Sequence, residues 1–182
     1  MIRMQTSNGA KGGFTLIEIL VYVAVLVILI LAISYFLLWT IRSNVKSAAT
    51  RETADNATAI LEKMAYEIKE ASSIYTPTSI FSATSGQLSL ETTKYLPSGE
   101  SASYIDFYVC GKSVCLKKEG EAPIALTSSR VKVNKLEFFQ ISTTSTAPSV
   151  QIGLGVSYDV KTAKPEYQAS FNTTSTVSLR SY

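Results

Sequence analysis

The 182-residue chain is built on two hydrophobic patterns in succession. From Ile19 to Trp39 no position is charged and none is Gly or Pro. That run meets the need for about 20 apolar residues in a helix that crosses a bilayer. From Ala54 onward Ala57, Leu61, Met64, Ile68 and Ala71 recur at helical spacing, with Glu62, Lys63, Glu67, Lys69 and Glu70 between them. No Gly falls between Gly13 and Gly86 and no Pro precedes Pro77, so no helix breaker separates the two stretches. Thr76 stands before Pro77 and is biased away from helical backbone, which puts the end of the helix near Ser73. The pattern predicts one helix of about 60 residues, roughly 90 Å at 1.5 Å per residue. Its first half, 14–39, is apolar apart from Glu18 near its start, and its second half, 40–75, is amphipathic. Lys63 and Glu67 are expected to pair at i,i+4 on the outer face of that second half, worth a few tenths of a kcal/mol.

After Pro77 the period changes from 3.6 to two. Leu88 and Leu90 alternate with polar residues, and Ile105, Phe107 and Val109 alternate with Tyr104, Asp106 and Tyr108. Val131 and Val133, then Leu136 and Phe138, read as a longer strand with a bulge between the two pairs. Val150, Ile152, Leu154 and Val156 mark another strand, and Val177 and Leu179 a last one. Gly86, Pro97-Ser98-Gly99, Gly111, Gly120 and the Thr143–Ser149 stretch are turn or loop signals. One helix followed by a run of strands predicts an α+β fold, with an antiparallel sheet packed on the amphipathic half of the helix. Residues 76–182 suffice for one small core and no second domain.

The junction ahead of the apolar run reads Lys11-Gly12-Gly13-Phe14-Thr15-Leu16-Ile17-Glu18. A secretory signal peptide has an apolar region of about 7–15 residues followed by a small-residue cleavage site. Here the small pair, Gly12-Gly13, precedes the apolar run, so a cut there leaves the anchor on the product. The glycines carry no side chain to obstruct a protease and hold the backbone out of a regular helix. The alternative is an uncleaved signal anchor that happens to contain Gly-Gly-Phe. Glu18 stands out in this setting, because a carboxylate in a membrane helix costs about 2.5–3.5 kcal/mol at the centre and less toward the interface, and calls for a partner. It lies one helical turn after Phe14, whose amine a cut after Gly13 would free to pair with a buried carboxylate. The alternative for Glu18 is snorkelling to the headgroups. Arg3, Lys11 and the amino terminus on one side of the run are matched by Arg42, Lys46 and Arg51 on the other, so charge alone barely orients the span. Trp39 falls where an interfacial aromatic ring is expected.

A short basic leader, a Gly, then Phe14-Thr15-Leu16-Ile17-Glu18 running into a membrane helix resembles the class III signal of type IV pilins and pseudopilins, over roughly the first forty residues. The resemblance implies that a prepilin peptidase removes leader residues 1–13, cutting between Gly13 and Phe14, and N-methylates Phe14. It implies that Glu18 pairs with the Phe14 amine of the neighbouring subunit during assembly at an inner-membrane platform. It also implies a pilin-like fold, a cytoplasmic leader, an exported domain over 76–182, and contact with other subunits through the N-terminal helix. A second, looser resemblance is carried by Tyr104-Ile105-Asp106-Phe107-Tyr108, Leu126-Thr127, Val131 to Phe139, and Thr176 to Arg180. These are similar to J- and W-type minor pseudopilins and minor pilins. Tyr35 stands where major pilins often have Pro, which by the same resemblance implies a minor subunit or a pseudopilin.

The remaining chemistry is sparse. Cys110 and Cys115 are the only cysteines, and Gly111-Lys112-Ser113 between them reads as a hairpin turn. Opposed residues on paired strands come close to disulfide range, and such a bond persists in an exported compartment. Unpaired thiols, or a metal or redox pair, are the alternatives. The chain contains no His, which excludes Ser-His and Cys-His nucleophile pairs and histidine metal sites. Asp55, Asp106 and Asp159 are scattered, and there is neither a calcium-type acidic loop nor a phosphate-binding glycine loop. No catalysis, cofactor or metal is therefore expected. The net charge of +3 is small. Arg42, Lys46 and Arg51 suit lipid headgroups or neighbouring subunits better than DNA, so a nucleic-acid partner is left open but not indicated. The reading is a structural subunit of a type IV pilus, a type II secretion pseudopilus or a DNA-uptake pilus. Its rivals are an adhesive or ligand-binding module on a membrane stalk, touching a surface or DNA with loops such as Thr143–Ser149, and a membrane-anchored enzyme.

Overall fold

The computed structural model describes residues 13–94, 96, 98–141, 148–159 and 164–180. The chain is α+β, one long N-terminal helix followed by antiparallel sheets, a pilin-like arrangement. Helix α1 runs from Leu16 to Glu70, 55 residues without Gly or Pro. It begins two residues into the expected 14–39 segment and ends three residues short of Ser73. Sheet pairing takes over at that end, because the Ser72 amide donates to Glu91 O at 2.8 Å and Ser73–Ile74 forms strand β1. The backbone divides into two compact units, residues 1–42 and 43–182.

In the first unit the described residues are almost entirely helix, and their apolar side chains are exposed from Phe14 to Ile41. An 18-residue window of this stretch is long and apolar enough to cross a membrane, and none of it is buried. Full exposure separates it from the core helix of a globular domain, whose apolar stripe would be covered.

Among the described residues of the second unit, the end of α1 packs with eight strands. Strands β1 (Ser73–Ile74), β2 (Leu88–Thr92), β3 (Ser103–Cys110), β4 (Ser113–Lys118) and β5 (Ile124–Ala125) form a five-stranded sheet in sequential order. Strands β6 (Val131–Ile141), β7 (Ser149–Tyr158) and β8 (Ser170–Ser178) form a three-stranded sheet. All of these pairings are antiparallel. The strand pairing expected from the period-two segments is present, but it is divided between two sheets. One apolar cluster joins them: Ala57, Ile60, Met64 and Ile68 from α1, Leu88, Leu90, Ile105 and Phe107 from the first sheet, and Leu136, Phe138, Ile152 and Leu154 from the second.

The stripe on α1 departs from the expected one. Ile60 is fully buried whereas Leu61 is only half-buried, so the core face runs 57, 60, 64, 68. Glu67 also lies on this face and is 2% exposed. Its Oε1 accepts from Lys63 Nζ at 2.6 Å. The pair exists, but its carboxylate is buried and not on the outer face. A buried carboxylate is tolerated because a charged partner satisfies it.

Two local features set the register. The β6–β7 pairing shifts between Val133 and Lys135, leaving Asn134 as the extra residue. The bulge turns Leu136 and Phe138 toward the core that Val131 also enters. Gly86 acts not as a turn residue but as a point of close approach. Its amide donates to Leu136 O at 2.7 Å, and a Cβ there would lie 3.0 Å from Ile80 O and 3.1 Å from Leu136 O. With Leu136 N to Thr84 O at 2.9 Å and Ser82 N to Phe138 O at 2.9 Å, this segment stitches the chain before β2 onto β6. The two sheets are held together there by backbone hydrogen bonds as well as by the core.

Candidate functional site

The residues that carry the chemistry sit where α1 begins. Gly13, Phe14 and Thr15 precede the first helical residue, Leu16, and all three are exposed. Phe14 is 72% exposed, and a Cβ placed on Gly13 would meet nothing within 4 Å among the described residues. The Gly13–Phe14 peptide bond therefore lies in non-helical, open backbone. Protease access needs such a bond, since a helical segment must first unwind. Residues 1–12, including Arg3, Lys11 and Gly12, lie outside the described residues.

Thr15 starts the helix. Its carbonyl accepts from the Glu18 amide at 3.1 Å and the Ile19 amide at 3.2 Å, and its Oγ1 accepts from the Glu18 amide at 3.4 Å. Thr15-Leu16-Ile17-Glu18 has the Thr-x-x-Glu spacing of a capping box, in which a hydroxyl satisfies an otherwise orphaned amide. The usual second half of the box, the glutamate reaching back to the cap, is replaced. Glu18 Oε1 instead accepts from Tyr22 Oη at 3.1 Å, one turn toward the C-terminus. Glu18 also occupies the first turn, where a negative charge suits the positive end of the helix dipole. Both Thr15 and Tyr22 escape a reading by apolar period alone, although their spacings, three before and four after Glu18, were available as signals.

The other candidate residues are dispersed. Cys110 and Cys115 are joined in a disulfide with Cα atoms 5.8 Å apart. They are not directly opposed, because Cys110 faces Ser113 and Tyr108 faces Cys115. The bond runs diagonally across the β3–β4 hairpin, whose turn takes φ +64° at Gly111. Arg42, Lys46 and Arg51 are exposed on α1. Asp55 is exposed on α1, Asp106 accepts from Ser89 Oγ at 2.6 Å on β3, and Asp159 pairs with Lys112 at 2.6 Å. These positions do not converge. Among the described residues no group of three or more His, Cys, Asp or Glu side chains is placed to hold a metal ion. Of the Thr143–Ser149 stretch, residues 143–147 lie outside the described residues, and Ser149 opens β7.

Two polar clusters were missed by sequence reasoning. Ser128 and Arg130, ahead of β6, hold α1: the Ser128 amide donates to Asn56 Oδ1 at 2.8 Å, its Oγ to Glu52 Oε1 at 2.9 Å, and Arg130 lies 3.8 Å from Glu52. Near the end of α1, Lys94 donates to Tyr66 Oη and lies 3.4 Å from Glu70, which Arg180 approaches at 3.8 Å. The Tyr66 hydrogen bond pushes the Lys94 ammonium up to about 12, a partial desolvation opposes it, and Glu70 adds to the rise. Tyr104, 4.8 Å from the Tyr75 ring, is raised above its ordinary value of 10.0 by desolvation first and then by Glu91, Tyr75 and Glu119.

Comparison with known proteins bears on the first of these sites. Residues 8–34 match the model of the prokaryotic N-terminal methylation motif, a match that spans the Gly13–Phe14 junction, Thr15, Glu18 and most of the apolar run. Neither the curated proteins nor the solved structures give a match. The exposed apolar helix, together with this motif, fits a single-pass protein of the inner membrane. The motif implies processing by a prepilin peptidase and assembly with other pilin subunits, and through residues 8–34 the chain carries the type IV pilin and pseudopilin signal.

Proposed function

We propose that the chain is a non-catalytic structural subunit of a type IV pilus or a type II secretion pseudopilus, and a minor one. The observation that carries this reading is the methylation motif lying across an exposed Gly13–Phe14 bond, directly ahead of an apolar helix with no covered face. In this reading residues 1–13 are cytoplasmic leader, and the peptidase cuts after Gly13 and methylates the Phe14 amine. The mature helix remains in the inner membrane, with the domain from residue 76 exported. Glu18 then meets the Phe14 ammonium of the neighbouring subunit at the assembly platform. Two groups that are each unfavourable in lipid alone would neutralise one another there. Assembly would bury the apolar side chains of residues 14–41 against other subunits in place of lipid. The minor-subunit assignment rests on the strand motifs and on Tyr35 in place of Pro.

Mass spectrometry of the protein coexpressed with a prepilin peptidase tests the reading. The expected product begins at N-methylated Phe14, and Gly13→Val is expected to remain full length. A Cβ at Gly13 meets nothing within 4 Å among the described residues, so loss of cleavage in this variant is expected to report on the peptidase. An intact Met1 terminus in the presence of active peptidase would overturn the proposal.

A further inference from the structure

Glu18 has a side-chain partner within its own helix. The first described unit contributes one helix and no second element to this stretch, and along the sequence the flanking charged side chains are Lys11 and Arg42. Within that environment Tyr22 Oη donates to Glu18 Oε1 at 3.1 Å. Glu18 is half-buried while its neighbours on either side are exposed. No hydrogen bond to Oε2 occurs among the described residues.

The direction of that bond matters. Helical side chains tilt toward the N-terminus and cover the turn before their own Cα. The default reach of Glu18 is therefore back toward Phe14, four residues earlier and just ahead of the helix. Once Gly13 is cut away, Phe14 carries a free ammonium, so each subunit presents Glu18 with its own amine before any neighbour arrives. Tyr22 lies one turn on the other side, and its own tilt brings the hydroxyl down onto the carboxylate. We infer that Tyr22 is the positioning residue of Glu18, drawing its carboxylate away from the subunit's own Phe14 amine and leaving Oε2 open to the amine of a second copy. This rests on the reading of Glu18 as the assembly carboxylate.

The hydrogen bond is charge-assisted and lies in a low-dielectric setting, where such bonds are at their strongest. Its loss releases Glu18 to the intramolecular partner, which is always within reach and needs no encounter. The neighbour's amine then competes against a pair already formed.

The test uses the full chain in the cells that make it. Immunoblots compare the share in sheared filaments with the share in membranes for wild type, Tyr22→Phe, Tyr22→Gln and Glu18→Ala, and leader cleavage monitors insertion. Tyr22→Phe keeps the ring and removes only the donor. It is expected to lower the filament share about tenfold, the ratio that one charge-assisted hydrogen bond is worth, with cleavage unchanged. Tyr22→Gln restores a donor at i,i+4 and is expected to recover most of the loss, which a role in packing alone would not produce. If Tyr22→Phe assembles like wild type while Glu18→Ala fails, the positioning role is wrong and the Glu18 reading stands. If Tyr22→Gln is as poor as Tyr22→Phe, the ring hydroxyl is not acting as a donor to Glu18, and the inference falls. If Glu18→Ala assembles normally, the Glu18 reading itself falls and takes this inference with it.

Discussion

At the scale of single residues, three charges are each held by a named partner. Glu18, Glu67 and Lys94 each sit where an unpaired charge would be unfavourable or unremarkable, and each has a partner one turn away or across a loop. Lys94 allows a pH test with a defined sign. Its folded value, about 12, stands above the ordinary 10.5, so it favours the folded state at every pH below 10.5. That contribution disappears as pH rises from 10.5 through about 12. Tyr104 acts in the same direction, since a phenol raised above 10.0 also withdraws its stabilisation as pH climbs through its folded value. Tyr66→Phe removes the hydroxyl that is the main cause of the Lys94 shift. In urea titrations of a fragment beginning at Ser43, the mutant is expected to unfold earlier than wild type below pH 10.5, and the gap is expected to close by about pH 12. A gap that persists above that value would show that Tyr66 acts by packing and not through Lys94.

At the scale of elements, the helix and most strands were legible because periodicity reports which face is covered. Alternation holds through most of β3 and β7, whereas in β2 Ser89 is buried between Leu88 and Leu90, and the change of phase within β6 announced its bulge. What escaped has physical reasons. Strands β1 and β5 are two residues long, too short to show any period, and they exist because longer neighbours offer an edge. The core stripe of α1 was misplaced by one residue at Leu61, because Ile60 and Leu61 are both apolar and only packing separates them. Glu67 was set outside because it is charged, although Lys63 brings it in. The division into two sheets is a matter of non-local pairing, fixed at Gly86 and Leu136, and nothing local to either residue encodes it. The stripe 57, 60, 64, 68 predicts a difference that a stripe through Leu61 does not. Ile60→Ala should cost about 2–5 kcal/mol through a cavity in a fully buried site, whereas Leu61→Ala at a half-buried site should cost well under half as much. Thermal unfolding of the two variants checks this, and equal losses would return Leu61 to the core.

At the scale of the whole molecule, the boundary between the two compact units falls at Arg42 and Ser43, beyond the apolar run and ahead of the first buried residue, Ala49. A fragment beginning at Ser43 therefore discards the exposed apolar surface of residues 14–41 and keeps every helical side chain of the core. It is expected to be soluble, folded and monomeric, with Cys110 and Cys115 joined when made in an oxidising compartment. A fragment beginning at Pro77 loses Ile60, Met64 and Ile68, all fully buried, and with them β1. At about 1.5–3 kcal/mol for each buried side chain, the loss is roughly 5–9 kcal/mol. That is comparable with the 5–15 kcal/mol that holds a typical domain together. The same truncation also uncovers Leu88, Leu90, Ile105 and Phe107, a contiguous apolar face of the kind that drives aggregation. Size-exclusion chromatography and thermal melts of the two fragments decide the point. If the shorter fragment is monomeric and melts as high as the longer one, the end of α1 is not part of the core but a stalk. The domain from residue 76 would then be a free module on a tether, and the adhesive reading would displace the filament subunit.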